Sequence, residues 1–213
     1  MPPPPPPLLT GPRVTVALAR ESDAAALLAF QRRNRDHLAP WSPPVSDAFY
    51  TLSYWKQWTG AARPLYDREQ AARLVVRPVG EDGEQPPPII GQVNFSNIIR
   101  GPFQAAYLGY HLDGERQGEG LMAEALRLSI DFMFAEFGLH RIMANHMPEN
   151  ARSARVLEKL GFEREGFARD YLFIDGAWRD HVLTALTNPD APTPKPAEPA
   201  TAARRFPVLR RLR

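Results

Sequence analysis

Hydrophobic and polar positions alternate along residues 14–19, which is the pattern of a strand with one buried face. Further apolar stretches of strand length follow, and the last two flank Asp175-Gly176, a strong signal for a tight hairpin turn. The predicted strands comprise residues 14–19, 73–79, 89–99, 105–112, 140–146, 163–174 and 178–186. The chain is therefore expected to be built around a sheet.

Between these strands, apolar residues at three- and four-residue spacing predict helices. The first follows Glu21-Ser22-Asp23 and runs to about Asp36, and Ser46 or Asp47 caps a second, aromatic-rich helix. The remaining two cover the residues after a glycine-rich turn at 114–120 and residues 151–160. Strands that outnumber singly inserted helices predict a mixed α/β (α+β) sheet.

Composition narrows the class of protein. The 213 residues are 44% hydrophobic, which suits one domain with a sizeable core, and the net charge of +2 is too small to indicate specific DNA binding. No run of about eighteen apolar residues predicts a membrane span. The chain has no cysteine, and no histidine has metal-ligand spacing, so we expect no catalytic metal. The proline-rich start lacks the features of a secretory signal, and we expect a cytoplasmic protein.

Three segments are predicted along the chain. Residues 1–12 form a proline tract and are expected to be disordered, residues 13–188 form the folded domain, and residues 189–213 form a flexible tail. The tail is rich in Pro and Ala and then basic, so it could contact RNA electrostatically.

The glycine-rich turn is the first candidate site. Gly114, Gly118 and Gly120 permit positive φ angles and a close approach of a ligand to the main chain. The next helix begins with unpaired N–H groups and the positive end of its dipole, which favour an anion. The turn is neither a Walker A loop nor a complete Rossmann fingerprint.

A second motif follows about thirty residues later. Asn150-x-x-Ser153 precedes Leu157-Glu158-Lys159-Leu160-Gly161-Phe162, and together with the glycine turn it resembles the acetyl-CoA site of the GNAT acetyltransferases. The resemblance implies a mixed, mostly antiparallel sheet flanked by helices, with residues 105–112 and 140–146 as splayed central parallel strands. It implies these acetyl-CoA contacts: Leu112, Arg116, Gln117, Gly118, Glu119, Gly120, Leu121, Met122, Asn150 and Ser153.

Residues 34–41, 139–150 and 178–186 are similar, more narrowly, to RimJ-type ribosomal-protein-alanine N-acetyltransferases. This resemblance implies acetyl transfer from acetyl-CoA to the N-terminal alanine of a ribosomal protein, with contact to the ribosome or to an assembly intermediate. Asn34, Trp41 and Tyr171 are the expected substrate contacts.

The sequence departs from the GNAT pattern at three positions. Glu115 replaces an Arg or Gln, so either Arg116 and Gln117 supply the side-chain contacts to the cofactor or the main chain holds it nearly alone. Leu157 stands where many relatives have a catalytic tyrosine, and Ser153, one turn earlier, is predicted to act instead as the donor to the thiolate. Asn145 stands where relatives can have a glutamate base, and is predicted to orient a water.

The missing base favours an N-terminal amine over lysine as acceptor. At pH 7.5 an α-amine with a pKa of about 7.8 is roughly one-third neutral, whereas a lysine is only ~0.1% neutral. His111 stays open as an alternative base. Two other functions also stay open. The protein could acetylate a small amine such as a polyamine or an antibiotic, and an acidic pocket would favour a polycationic substrate. It could also be a non-catalytic module that binds acyl-CoA.

Overall fold

A computed structural model describes residues 3–80 and 86–193 of the chain. In these residues eight strands form one sheet in the order β1-β2-β3-β4-β5-β6-β8-β7. Neighbouring strands are antiparallel except β5 and β6, which are parallel, so the predicted mixed, mostly antiparallel sheet is confirmed. The strands are β1 Leu8–Thr10, β2 Val14–Leu18, β3 Ala72–Pro78, β4 Gly91–Ile99, β5 Ala105–Leu112, β6 Arg141–Met143, β7 Glu163–Ile174 and β8 Ala177–Thr187.

Helices cover both faces of this sheet, and the period-two alternation of the strands decides which side chains meet them. In β3, Leu74 and Val76 join a core with α5, whereas Val75 between them joins a second core with α1 and α3. The helices are α1 Ala24–Arg33, α2 Arg35–Leu38, α3 Leu52–Gly60, α4 Ala62–Asp67, α5 Leu121–Ala135 and α6 Ala151–Lys159. None in the described residues is long and apolar enough to cross a membrane.

The helical boundaries differ from the prediction in the first third of the chain. The first predicted helix divides at Asn34 into α1 and α2. The predicted cap at Ser46 or Asp47 precedes only a short 3-10 turn, and α3 begins after Thr51, whose Oγ1 accepts a hydrogen bond from the Tyr54 N–H at 3.4 Å. Several Ser, Thr and Asp residues could serve as a cap here, and tertiary packing selects among them.

Two predicted segments also differ. Within residues 1–12, expected to be disordered, Leu8–Thr10 forms β1 and pairs antiparallel with β2, and the Tyr66 hydroxyl donates to the Pro5 carbonyl at 3.0 Å. Prolines lack the N–H that pairing needs, but Leu8 to Thr10 have it. The predicted strand 140–146 is regular only at Arg141–Met143. Residues 194–213 of the predicted tail and most of the 80–88 turn lie outside the described residues.

The shortness of β6 reflects a divergence of the two parallel strands. β5 and β6 pair only at Ala105–Tyr107 with Arg141–Met143, although β5 continues to Leu112. Beyond Met143 the chain stays with β8 instead: the N–H groups of Ala144 and His146 donate to the carbonyls of Thr184 and Val182 at 3.0 and 3.2 Å. One edge of residues 108–112 thus faces a gap in the sheet.

Buried polar side chains connect α1 to the strands beside this gap. The Gln31 amide donates to Gln92 Oε1 on β4 at 2.6 Å, and Gln92 lies opposite His111 in the sheet. His111 Nδ1 is buried and has no hydrogen-bond partner among the described residues. Burial of the ring, with the nearby His37, lowers the pKa of His111 to about 4.

His111 should therefore make the fold sensitive to mild acid. Between its unfolded pKa near 6.5 and about 4, the unfolded chain binds the proton more readily, so the free energy of unfolding falls as the pH falls through this window. Linkage gives a loss on the order of 1–2 kcal/mol between pH 7.5 and 5. Urea unfolding at both pH values should show this extra loss in wild type and not in His111→Gln.

His140→Gln is the control, because His140 is exposed and directly precedes β6. An equal pH-dependent loss of stability in wild type and His111→Gln would contradict the assignment of the effect to His111.

Candidate functional site

A cavity of about 890 Å³ opens where β5 and the chain after β6 diverge. Its walls come from β5, from the turn before α5, from residues 145–147, and from the first turns of α5 and α6. The predicted site residues on its surface are Trp41, Leu112, Gln117, Gly118, Gly120, Met122, Asn145, Asn150 and Ser153. Two motifs thirty residues apart in sequence thus form one site.

The glycine turn has the geometry that the sequence predicts for an anion site. Gly118 and Gly120 have φ values of 80° and 78°, and Gly120 is the N-cap of α5. The first bond of the helix runs from the Glu124 N–H to the Gly120 carbonyl, so the three preceding helical N–H groups have no partner within the helix. With the positive end of a 15-residue helix behind them, these groups favour a phosphate.

Arg13, in the turn between β1 and β2, braces this loop from outside. Its guanidinium donates to the Glu119 carbonyl at 2.6 Å and to Glu124 at 2.9 Å. Glu124 also accepts the backbone N–H groups of Arg13 and Val14 at 2.8 and 3.2 Å. Arg13 therefore joins the loop to the first turn of α5, a role that the sequence motif does not reveal because Arg13 lies over a hundred residues away.

Not all the side chains predicted to hold the cofactor lie on the cavity surface. Gln117 faces the cavity and bonds to the His37 ring at 2.7 Å. Arg116 pairs with Glu119 at 3.2 Å, and neither of them lines the cavity. Leu121 is a core residue, 3% exposed, so only its backbone N–H is available to an anion. Main-chain groups and the Gln117 side chain, more than the predicted Arg116 side chain, form this wall.

The helix motif places Asn150 and Ser153 at the opposite wall. Asn150 caps α6, its Oδ1 accepting the Ser153 N–H at 3.1 Å, so its side chain fixes the start of the helix. The Ser153 hydroxyl lies 2.7 Å from the hydroxyl of Tyr110 on β5. Burial raises the pKa of Tyr110 to about 12, partly offset by this hydrogen bond.

Sequence reasoning missed Tyr110. The available signal was its place on β5, two residues before Leu112 and so on the same side of the strand. The Asp113 N–H donates to the Ile90 carbonyl, toward β4. Because successive N–H groups alternate along a strand, those of Tyr110 and Leu112 point away from β4, toward the gap. The Leu112 N–H is therefore open to a ligand in the cavity.

Asn145 lines the cavity with both ends of its amide engaged. Its Nδ2 donates to the Tyr171 hydroxyl at 3.1 Å, and its Oδ1 accepts the Thr184 N–H at 3.2 Å. Tyr171 itself is not on the cavity surface: it lies behind Asn145 and against His181, with ring centroids 5.3 Å apart. The structure therefore gives Tyr171 a supporting position in place of the predicted substrate contact.

Asn34 differs from the prediction in the same way. It is 2% exposed, its Nδ2 donates to the Phe30 carbonyl at 3.0 Å, and its Oδ1 accepts the Gly114 N–H at 2.9 Å. The neighbouring Arg33 forms two hydrogen bonds with Asp113, of 2.8 and 2.6 Å. The end of α1 thus holds the turn that follows β5, and Asn34 supports the site from behind.

These contacts also set the charge of Asp113. Burial acts to raise its pKa, but the hydrogen bonds from Arg33 and from the Glu115 N–H outweigh burial and hold the pKa below its usual range. An ionised Asp113 keeps the entry to the glycine turn fixed against α1.

The cavity has a basic rim. Arg152, Arg155 and Lys159 lie on one face of α6 at its surface, and Glu149 is the one carboxylate among the described lining residues. In the described part of the chain no group of three His, Cys, Asp or Glu side chains could hold a metal ion. The positive charge of this rim attracts an anionic ligand and repels a polycation.

Known proteins share these features. The acetyltransferase (GNAT) domain family matches residues 13–163. The chain is 44% identical to the ribosomal protein uS5-alanine N-acetyltransferase of Escherichia coli, over 85% of this chain and 91% of that protein. The structure of the ribosomal-protein-S5-alanine acetyltransferase of Vibrio fischeri matches with a TM-score of 0.82 and 43% identity, over 87% of this chain and 99% of that chain.

A further structure, of RimJ from Mycobacterium smegmatis in complex with CoA-disulfide, matches with a TM-score of 0.76 and 32% identity, covering 85% of each chain. The family match covers more than half of the chain, and it includes the glycine turn and the Asn150–Ser153 helix. The chain belongs to the GNAT acetyltransferase family.

Proposed function

We propose that this protein transfers the acetyl group of acetyl-CoA to the N-terminal alanine of a ribosomal protein in the cytoplasm. The observation that carries the substrate assignment is the 44% identity to the E. coli enzyme, which extends over 91% of that enzyme's length. The similarity therefore includes the acceptor side of the cavity as well as the cofactor loop. Contact of the predicted tail, residues 189–213, with the ribosome or an assembly intermediate stays a prediction.

The cofactor loop and α6 would hold acetyl-CoA at opposite walls of the cavity. The N–H groups that begin α5 point at the place for the pyrophosphate, and the exposed cations Arg152, Arg155 and Lys159 supply further positive charge. When bound, acetyl-CoA supplies an acetyl group activated as a thioester. Its position between β5 and residues 144–146 brings that group to the gap in the sheet.

The unpaired edge of β5 would stabilise the charge that develops during transfer. The N–H groups of Tyr110 and Leu112 point into the gap and are available to a carbonyl oxygen that gains negative charge. Fixed donors in a site that excludes water contribute strongly to catalysis because they need no reorganisation during the reaction.

The Ser153–Tyr110 pair would supply the proton that the leaving thiolate requires. Ser153 is on the cavity surface, and its hydroxyl is within hydrogen-bond distance of the Tyr110 hydroxyl. Ser153 can donate to sulfur while Tyr110 donates to Ser153, so the phenol that many relatives carry on the helix is provided here from β5. A phenol is a stronger acid than an alcohol, which makes Tyr110 the proton source for Ser153.

The walls favour a peptide amine over a polyamine. One carboxylate, Glu149, lies among the described lining residues, against several cations, and a site for a polycation would need the opposite balance. Trp41, His37 and Leu38 also line the cavity, and they carry no carboxylate that would attract a polycation.

The proposed reaction can be tested by thiol release with two matched peptides. One offers the free N-terminal alanine of ribosomal protein uS5; the other is blocked at its N-terminus and offers only lysine. We expect release with the first alone, because only the α-amine is substantially neutral near pH 7.5. Release with spermidine and with neither peptide would instead support the small-amine function. Acetyl-CoA binding without any turnover would support a binding module.

Loss of the Ser153 hydroxyl should slow turnover and spare cofactor binding. We expect Ser153→Ala to lower kcat about ten- to hundred-fold and Tyr110→Phe about tenfold. The double variant should be no slower than Ser153→Ala, since the two hydroxyls act as one unit. Steady-state kinetics and calorimetric acetyl-CoA binding give both quantities.

Ser129→Ala is the matched control, because that serine is buried on α5, bonds to the Ala125 carbonyl at 2.7 Å and is outside the cavity wall. Independent, multiplicative effects of the Ser153 and Tyr110 substitutions would show that the two hydroxyls do not act together.

Removal of the Arg13 side chain should loosen the cofactor loop. Arg13→Ala loses the bonds to Glu119 and Glu124, and we expect about tenfold weaker acetyl-CoA binding, because partly exposed charged contacts contribute on the order of 1 kcal/mol. Isothermal titration calorimetry measures the affinity directly. Arg63→Ala removes an exposed arginine paired with Asp67 on α4 and should have no effect; equal affinities in all three proteins would exclude a bracing role for Arg13.

A further inference from the structure

His181 lines the cavity and has no role in the steps proposed above. Asn145 cannot titrate, so the site needs another acceptor for the proton that the amine loses. His181 on β8 lies on the same cavity surface as Asn145 and is only 3% exposed. A buried histidine that still reaches a ligand cavity is suited to accept a proton there.

Its hydrogen bonding fixes which ring nitrogen is available. His181 Nδ1 lies 3.0 Å from the Arg179 carbonyl oxygen. A carbonyl oxygen can only accept, so Nδ1 carries the hydrogen, and in the neutral ring Nε2 is left as the acceptor. The ring also packs against Tyr171, with centroids 5.3 Å apart at 51°, which restrains its rotation.

The β7–β8 hairpin is deformed in a way that builds this arrangement. Ala168 pairs with His181 and Leu172 with Arg179, so three residues of β7 face one of β8. Asp170 within this bulge has a φ of 47°, and its N–H donates to the Asp180 carboxylate at 2.9 Å. The bulge places Tyr171 against both His181 and Asn145, as bulges beside active sites commonly redirect side chains.

The other cavity histidines differ from His181 in their surroundings or are weakly basic. His146 Nδ1 bonds to the Met147 carbonyl, as His181 Nδ1 bonds to the Arg179 carbonyl, and this Met147 carbonyl also accepts the Asn150 N–H at the start of α6. His181, however, is the histidine that packs against Tyr171, the hydrogen-bond partner of Asn145. The His37 ring bonds to Gln117. Burial keeps the pKa of His111 at about 4, too low for an effective base near neutral pH.

We propose that His181 Nε2 is the proton acceptor of the acetyl transfer. As the nitrogen of the substrate amine bonds to the acetyl carbon, one N–H proton passes to His181 Nε2. The C–S bond breaks, and the thiolate takes one proton from the Ser153–Tyr110 pair. Return of the proton from His181 to that pair through solvent restores the enzyme. In the net reaction the amine gains the acetyl group and loses one proton, and the thiolate takes up one proton. This inference rests on the proposed function.

The test compares wild type, His181→Gln and His140→Gln with the alanine peptide. We expect kcat of His181→Gln to fall about a hundred-fold, the lower range for general-base catalysis, with unchanged acetyl-CoA affinity by calorimetry. The pH profile of kcat should lose one ionisation in this variant alone. His140 is the matched control, since its Nδ1 also faces a backbone carbonyl, at 3.3 Å, but it lies outside the cavity wall.

Wild-type turnover in the same assay separates the two ideas. If wild type fails to acetylate the peptide, the proposed function is wrong; if it does so and His181→Gln keeps its kcat and pH profile, only the inference about His181 is overturned. Should the variant not fold, ¹⁵N spectra of the wild-type imidazoles decide. The Nδ1–H tautomer at His181 supports the inference, and the Nε2–H tautomer overturns it.

Discussion

The early end of pairing between β5 and β6 is the constraint on which the site depends. A break inside a sheet normally leaves backbone groups without partners, which is costly when they are buried. Here the chain after β6 keeps its bonds to β8, so only one edge of β5 is left open. That edge faces the cavity, where a ligand or water can meet it. The same divergence provides the space, the N–H donors and the access for a substrate.

The glycine loop is held from behind so that its outward N–H groups stay available. Asn34 accepts the Gly114 N–H, Arg33 pairs with Asp113, and Arg13 holds the Glu119 carbonyl. These three side chains come from the end of α1, from the residue that follows it and from the turn before β2, all of which lie outside the glycine turn and the Asn150–Ser153 motif. Positive φ at the glycines gives the loop its shape, and remote polar contacts keep it in place.

In the proposed reaction, the groups that handle protons come mainly from the sheet. Tyr110 on β5 lies within hydrogen-bond distance of Ser153 on α6. On the other side, the hairpin bulge brings Tyr171 against Asn145 and His181. Neighbours in space would thus compensate for the tyrosine and glutamate that the helix and strand lack, because catalysis depends on where the atoms lie and not on which element carries them.

The sequence by itself determined seven of the eight strands, the two helices of the site, the glycine turn and the Asn150–Ser153 motif, because these rest on local periodicity, φ preferences and spacing. It also indicated the family. Only the tertiary structure decided that Tyr110 meets Ser153, that Arg13 braces the loop, and that Asn34 and Tyr171 lie behind the cavity wall. Each of these depends on a contact between residues 26 to 106 positions apart. Strand register and packing set such contacts, and local sequence does not encode them.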